Sequence, residues 1–246
     1  MPGERCVPVE MPIAISFLGL GYAVMMATPS DREDFGIGFA RAERLIEFIG
    51  DVGSVSIQQG EGGILRNLEL VPARHDGLFG RVRHRVGESS CGMCGIANLD
   101  QALRPLPGFC RHPGLTRQTS SQRSMACVNT SGSIAGPGRS MLPRCFPGCQ
   151  VLAVREDVGR HNAFDKLIGH CLREGIDPGA GFVLLTSRYS YELVEKAVLA
   201  GVSLLVTVSA PTSLAIERAQ LAGLTLIALA RSDEMLLLLD PHGIFQ

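Results

Sequence analysis

The stretch EDVGRHNAFDK, Glu156 to Lys166, follows an apolar run (Val151 to Val154) that reads as a strand, and it opens a segment that reads as a helix. An acid, a glycine, an arginine, a histidine and an asparagine all fall between Glu156 and Asn162. In an α/β fold, a strand-to-helix junction of this composition lies at the carboxyl edge of the sheet, where ligands bind. Arg160 and His161 could reach an anion, with Asn162 beside them, and the first N–H groups of the helix would add donors. The competing reading is a polar loop that does no more than cap a helix.

The segments that follow strengthen the first reading. Helix Asn162–Arg173, strand Phe182–Thr186, helix Tyr189–Ala200, strand Ser203–Ser209, helix Thr212–Ala222 and strand Leu224–Ala230 alternate regularly. Such alternation implies parallel pairing with right-handed crossovers. Two more strand ends carry hydroxyls just before a helix, Thr186–Ser187–Arg188 and Ser209–Ala210–Pro211–Thr212. Each alone is best explained as an N-cap by Ser187 or Thr212. Three such loops on one sheet edge, with Arg188 as a bidentate partner, favour a nucleotide-like ligand held by Arg160, His161, Asn162, Ser187, Arg188, Ser209 and Thr212.

Toward the N-terminus, Ile13–Phe17 and Ala23–Ala27 read as strands joined by a turn at LGLG, followed by a helix from about Asp31 to Ile49. Ser54–Gln58, Leu65–Val71 and Phe79–Arg85 read as three further strands with glycine-rich breaks. Cys91-Gly-Met-Cys94 then opens a short helix-like segment, Ile96 to Leu103. A C-x-x-C at a helix start lowers the pKa of its first thiol, and Arg81, Arg83, His84 and Arg85 add positive potential upstream. Spacing alone leaves a reactive thiol, a zinc ligand pair with Cys145 and Cys149, and an incidental pair all open.

Composition narrows the classes. A net charge of −1 over 246 residues, with no Trp, gives no support to a nucleic-acid surface. Met11 to Ser30 is uncharged, but Pro12, Gly19, Gly21 and Pro29 interrupt it, so no membrane span is expected. Eight cysteines without a leader-like segment point to a cytoplasmic chain rather than a disulfide frame.

EDVGRHNAFDKLIG, TSRYSYELVEKAVLAGVSLLVTVSAPTSLAIERAQLAGLTLIALAR, VPVEMPIAISFLG, YAVMMATPSDREDFGIGFARAERLIE and SSCGMCG together resemble the formate dehydrogenase accessory sulfurtransferase family (FdhD), over roughly residues 7–100 and 151–231. The resemblance implies maturation of a molybdenum- or tungsten-dependent formate dehydrogenase. Sulfur would arrive from a cysteine desulfurase as a persulfide on Cys91, with Cys94 as its partner, and pass to the bis-guanylylated molybdenum cofactor, bound as ligand and substrate through its guanine nucleotide part. It also implies a homodimer and an α/β, cytidine-deaminase-like three-layer fold, with a mainly parallel C-terminal sheet and a smaller N-terminal α+β part. No metal is implied, and deamination is excluded, because no H-x-E occurs in the chain. A non-catalytic cofactor-binding chaperone is the alternative role.

The chain thus divides into an N-terminal α+β part with the C-x-x-C (1–103), an atypical segment (104–150) and a C-terminal α/β part (151–246). The atypical segment departs from the family. No Asp, Glu or Lys occurs between Asp100 and Glu156, and residues 104–150 hold six Arg, six Pro, six Gly and four Cys. Where the family has a stretch like T-G-x-x-H-A-A, this chain reads GPGRSMLPRCF, Gly136 to Phe146. Codons for those residues can be read in the neighbouring frame as Thr-Gly-Ala, an aliphatic residue and His-Ala-Ala-Ala. The segment therefore reads as a frame-shifted copy that would leave an inactive relic, against the alternatives of a family variant or an Arg/Ser/Pro-rich insertion. Sequencing the coding DNA across residues 95–155 tests this. The neighbouring frame is expected to read through T-G-A-x-H-A-A, and its absence would make the printed segment genuine.

Overall fold

A computed structural model describes residues 7–80, 105–108, 139–144, 150–231 and 234–245; the positions of Cys91, Cys94, Cys145 and Cys149 and the expected helix Ile96–Leu103 lie outside these residues. The N-terminal sheet is built from β1 (Met11–Phe17), β2 (Leu20–Ala27), β3 (Val52–Gly60) and β4 (Gly63–Leu70), in the order β2-β1-β4-β3. The β1–β2 turn falls where LGLG places it. Leu18 and Gly19 both take positive φ, 52° and 75°, which matches the twist of the flanking strands. β1 and β4 pair in parallel, so the two hairpins join into one sheet.

Helix α1 (Arg32–Ala42) lies on this sheet and buries Phe35, Phe39 and Ala40 against Ile13, Ile15, Phe17, Ile64 and Leu68. It is shorter than the expected Asp31–Ile49. Arg44 enters the left-handed region at φ 57°, and the Leu45 N–H donates back to the Ala40 carbonyl at 2.9 Å. This is a left-handed helix end with no glycine to announce it. The expected strand Phe79–Arg85 is also corrected at its start. Pro72–Arg74 forms a 3-10 turn that runs into a helix at residues 75–80, with Pro72 presetting the helical φ.

The second sheet contains β5 (Arg139–Arg144), β6 (Gln150–Glu156), β7 (Val183–Leu185), β8 (Leu204–Thr207), β9 (Thr225–Ala228) and β10 (Leu236–Leu239), in the order β10-β9-β8-β7-β5-β6. β7, β8 and β9 are mutually parallel, as the alternation predicts. β6 does not pair with β7; β5 lies between them, antiparallel to both. A strand inside a stretch with no strand period was not expected. Helices α2 (Arg160–Glu174), α3 (Tyr191–Leu199) and α4 (Ser213–Ala222) share one core with one face of the sheet, through Phe164, Leu167, Val194, Ala197 and Ala219. The opposite face, Phe182, Leu184, Leu204, Val206 and Ile227, packs with Ile244 and Phe245. Among the described residues, then, these helices occupy one face of the sheet rather than both.

The two halves meet where α1 crosses α2. A Cβ on Gly38 would lie 1.7 Å from the Asp165 carbonyl oxygen, and a Cβ on Gly169 would lie 1.8 Å from that of Asp34. The helices therefore touch backbone to backbone. Around the crossing, the buried Asp34 accepts from Arg155 at 2.8 Å and Arg173 at 2.7 Å. Because both obstacles are main chain, Gly169→Ala is expected to cost at least about 3 kcal/mol, the upper end of what overpacking does. A urea unfolding curve checks this; a midpoint unchanged from the parent would show that the helices can part at no cost.

Candidate functional site

Asp157 follows β6 and is buried, and four donors converge on its carboxylate. These are the Thr28 N–H at 2.9 Å, the Gly159 N–H at 2.9 Å, Asn162 Nδ2 at 3.0 Å and Lys166 Nζ at 2.7 Å. Lys166 has no exposed surface; its ammonium also donates to the Thr28 carbonyl at 2.9 Å and the Glu156 carbonyl at 3.2 Å. Asn162 Nδ2 donates to the Met26 carbonyl at 2.9 Å as well. The junction that the sequence marks as a ligand loop is thus clamped to the chain between β2 and α1. A buried charge pair persists only when its remaining hydrogen-bonding capacity is met, and here it is. A Cβ at Gly159 would stand 3.0 Å from Asn162 Nδ2, so a side chain there would press on the amide that bonds Met26 and Asp157.

The clamp turns Arg160 outward, exposed, while His161 is half-buried. His161 Nε2 lies 2.9 Å from Glu192 Oε2 and 3.1 Å from Ser190 Oγ, which joins the β6–α2 loop to the start of α3. Burial, followed by the nearby Lys196 charge, lowers the His161 pKa to about 4 despite Glu192. The imidazole is therefore neutral at pH 7 and acts as a hydrogen-bonding group, not as the cation the sequence suggests. Lys196 is itself paired with Asp165 at 2.6 Å, and burial pushes the Asp165 carboxyl up to about 6.

The other two loops are tied together in turn. Thr207 Oγ1 donates to the Ser187 carbonyl at 2.6 Å and accepts from the Ser209 N–H at 3.0 Å. The Thr212 N–H donates to the Tyr189 carbonyl at 3.2 Å. Thr212 Oγ1 caps α4 by accepting from the Ala215 N–H at 3.2 Å. Ser190, not Ser187, occupies the N-cap of α3. Arg188 is exposed.

The fold therefore gathers Arg160, His161, Ser187, Arg188, Ser209 and Thr212 along one edge of the second sheet, where α2, α3 and α4 all begin. Asn162 sits beneath that edge with its amide spent on Met26 and Asp157. Sequence reasoning missed Asp157, Lys166, Thr28 and Glu192. The first two lie inside the quoted stretch, nine positions apart, a spacing that matches no simple helical or strand period. Among the described residues no group of three or more His, Cys, Asp or Glu could hold a metal, and no helix is long and apolar enough to cross a membrane. Cys171 is buried in the core, and burial pushes its thiol up to about 12, which leaves it unreactive.

The sequence model of the FdhD/NarQ family matches residues 8–245. A protein of Agrobacterium fabrum named sulfur carrier protein FdhD is 38% identical over 234 residues, covering 94% of this chain and 86% of its own length. A protein of the same name from Variovorax paradoxus is 38% identical over 237 residues, covering 96% and 85%. A crystal structure from Desulfotalea psychrophila, described as a formate dehydrogenase accessory protein, superposes with a TM-score of 0.62 at 21% identity, over 97% of this chain and 90% of that one.

The His161 environment sets a pH dependence. Its folded value of about 4 lies below the ordinary 6.5, so between those values the folded protein binds fewer protons than the unfolded chain. Stability should then be fully present above pH 6.5 and fall as pH drops toward 4, by on the order of 3 kcal/mol. Asp165, raised to about 6, opposes this, because its contribution is lost as pH rises through that value. His161→Gln isolates the first effect in urea unfolding across this range. A parent and a variant with identical pH profiles would contradict the assignment.

Proposed function

The chain belongs to the FdhD/NarQ family, and from that premise we propose that it is a sulfur carrier required for formate dehydrogenase activity, with Cys91 as the carrier. The observation that carries the reading is a family match spanning almost the whole chain, together with a C-x-x-C at Cys91 and Cys94. The donor is a cysteine desulfurase persulfide. The Cys91 thiolate attacks its outer sulfur, a new S–S bond forms on Cys91, and the desulfurase leaves as a thiolate. Release as sulfide follows if the Cys94 thiolate attacks Cys91 Sγ; the two thiols supply the electron pair and end as a disulfide.

The acceptor in this proposal is the bis-guanylylated molybdenum cofactor, treated as substrate. Support comes from the edge that carries Arg160, Ser187, Arg188, Ser209 and Thr212, where three helix N-termini offer N–H donors suited to phosphates. His161, held neutral by burial, suits a hydroxyl or base edge better than a phosphate. Arg160 and Arg188 are the cations for the phosphates. Formate dehydrogenase is the recipient partner, the chain works in the cytoplasm as a homodimer, and the second sheet corresponds to that of the cytidine-deaminase-like fold. A relic without activity is the second reading, favoured by the loss of acidic residues between Asp100 and Glu156.

Incubation with a cysteine desulfurase and cysteine is expected to add about 32 mass units, one sulfur, at Cys91 and none in Cys91→Ala. A folded parent that gains no sulfur would overturn the carrier reading. Rescue of formate dehydrogenase by Cys91→Ala would favour a chaperone that holds the cofactor without transferring sulfur.

A further inference from the structure

The edge of the second sheet where α2, α3 and α4 begin favours anions, yet one of its side chains is an acid. Arg160 and Arg188 are exposed there, and three helix N-termini add N–H donors. Glu192, in the first turn of α3, brings a carboxylate into the same place. That carboxylate is half-exposed, and its Oε2 lies 2.9 Å from His161 Nε2. The Tyr191 hydroxyl donates to Oε1 at 3.5 Å, the outer limit of a hydrogen bond.

An acid in the first turn of a helix complements the dipole, and that alone would account for the residue type. It does not account for the fixing. The dipole needs only a carboxylate free in water, whereas this one is anchored by an imidazole from another helix. To face a carboxylate, Nε2 must carry the ring proton. Burial lowers the His161 pKa to about 4 and keeps the ring neutral, so His161 positions Glu192 without cancelling its charge. Lys196, one turn further along α3, is committed to Asp165 at 2.6 Å. The result is a negative charge held in one orientation, with acceptor capacity left on both oxygens.

Such a group repels a phosphate placed beside it, so on a nucleotide its place is with the base. A carboxylate accepts best from two parallel N–H donors. Among the common bases, guanine alone sets two donors side by side, N1–H and the 2-amino group. Adenine and cytosine put a ring acceptor beside their amino group, and uracil flanks its one N–H with carbonyls. Packed helix axes lie about 8–10 Å apart, so a base over the start of α3 leaves its phosphates over the start of α2 or α4.

We propose that Glu192 is the base-reading residue of this edge: its carboxylate, held by His161, accepts from N1–H and the 2-amino group of a guanine and excludes adenine. The assignment rests on the reading of the edge as a nucleotide site and adds the residue that sets its specificity. His161 is then a positioning residue, acting through Glu192.

Isothermal titration calorimetry of the full chain with GDP, IDP and ADP tests this. The parent should bind GDP at least about tenfold more tightly than IDP, which lacks only the 2-amino group, and ADP more weakly still. Glu192→Ala should weaken GDP by about tenfold or more, leave ADP unchanged or tighter because the repulsion is gone, and bring the three affinities together. A damaged helix would instead weaken all three alike; that result, or a preference for GDP that survives in Glu192→Ala, would overturn the assignment. Glu192→Gln keeps the shape and one acceptor without the charge, and a preference as large as the parent's in that variant would equally overturn it. A parent that binds GDP and ADP equally well overturns the base reading and leaves the edge as a phosphate site. A parent that binds none of the three overturns the nucleotide reading of the edge, and this assignment with it.

Discussion

The contact on which the rest of this structure depends is the crossing of α1 over α2 at Gly38 and Gly169. Each helix belongs to a different sheet, and each sheet buries its own apolar core. What makes them one body is that two main chains approach to a distance no Cβ could share. Close approach fixes the relative height of the helices as well as their separation. It sets the two helices in opposite senses, with the first turn of α1 (Glu33, Asp34) beside Gly169 and Arg173 in the later turns of α2, while the β2–α1 connection lies against the β6–α2 loop through Thr28 and Asp157. Asp34, gripped by Arg155 and Arg173, then holds the rotation between the two helices.

The Asp157–Lys166 pair acts within that frame. An ion pair with no exposed surface contributes little net stability by itself, because desolvation cancels most of the attraction. Its effect is on conformation. Any loop arrangement that separates the pair, or removes Thr28, Asn162 or Gly159 from Asp157, leaves a bare charge in the interior. The β6–α2 loop is therefore held to one shape by the cost of the alternatives. A rigid loop suits a site that must present Arg160 and His161 at fixed positions, since binding then orders little further chain. The same stretch also explains why His161 is neutral: it is drawn between Ser190 and Glu192 into a half-buried position where Lys196 repels a second positive charge.

Much of this was legible in the sequence, for identifiable reasons. The strands and helices after Gln150 announce themselves because each apolar run is short, bounded by polar turns and followed by a helical period. The β1–β2 turn is legible from Leu18–Gly19. The end of α1 is not, because Arg44 takes a left-handed conformation that sequence normally assigns to glycine, and the apolar Leu45 and Ile46 beyond it look like more helix while in fact they fold back into the core. Within EDVGRHNAFDK, residue types indicated a polar junction correctly. Which polar residues face a ligand and which hold the loop was decided by contacts to Met26 and Thr28, about 130 positions away, and no local pattern encodes those. The register of Arg66 is a third case: alternation along β4 predicts burial there, while residue type predicts exposure, and burial won.

The second sheet adds a topological argument about the atypical segment. β6 and β7 run in the same direction, yet each pairs with β5 and not with the other. Removing β5 would leave a gap one strand wide in the middle of the sheet, with two rows of unpaired backbone groups facing it. The fold therefore demands a strand there whatever the local sequence prefers. The residues that meet the demand include Pro143, which has no N–H to give, and the pairing with β6 slips its register between Leu142 and Pro143. β7 pairs only Ser140 and Met141, so Pro143 lies where the strand is paired on the β6 side alone, and its missing N–H coincides with the slip in that ladder. β5 spans Arg139 to Arg144, inside the stretch Gly136 to Phe146 whose neighbouring frame can encode Thr-Gly-Ala…His-Ala-Ala-Ala, a peptide without proline. Topology and reading frame thus meet on the same residues: the fold keeps a place for a strand that the printed sequence fills poorly.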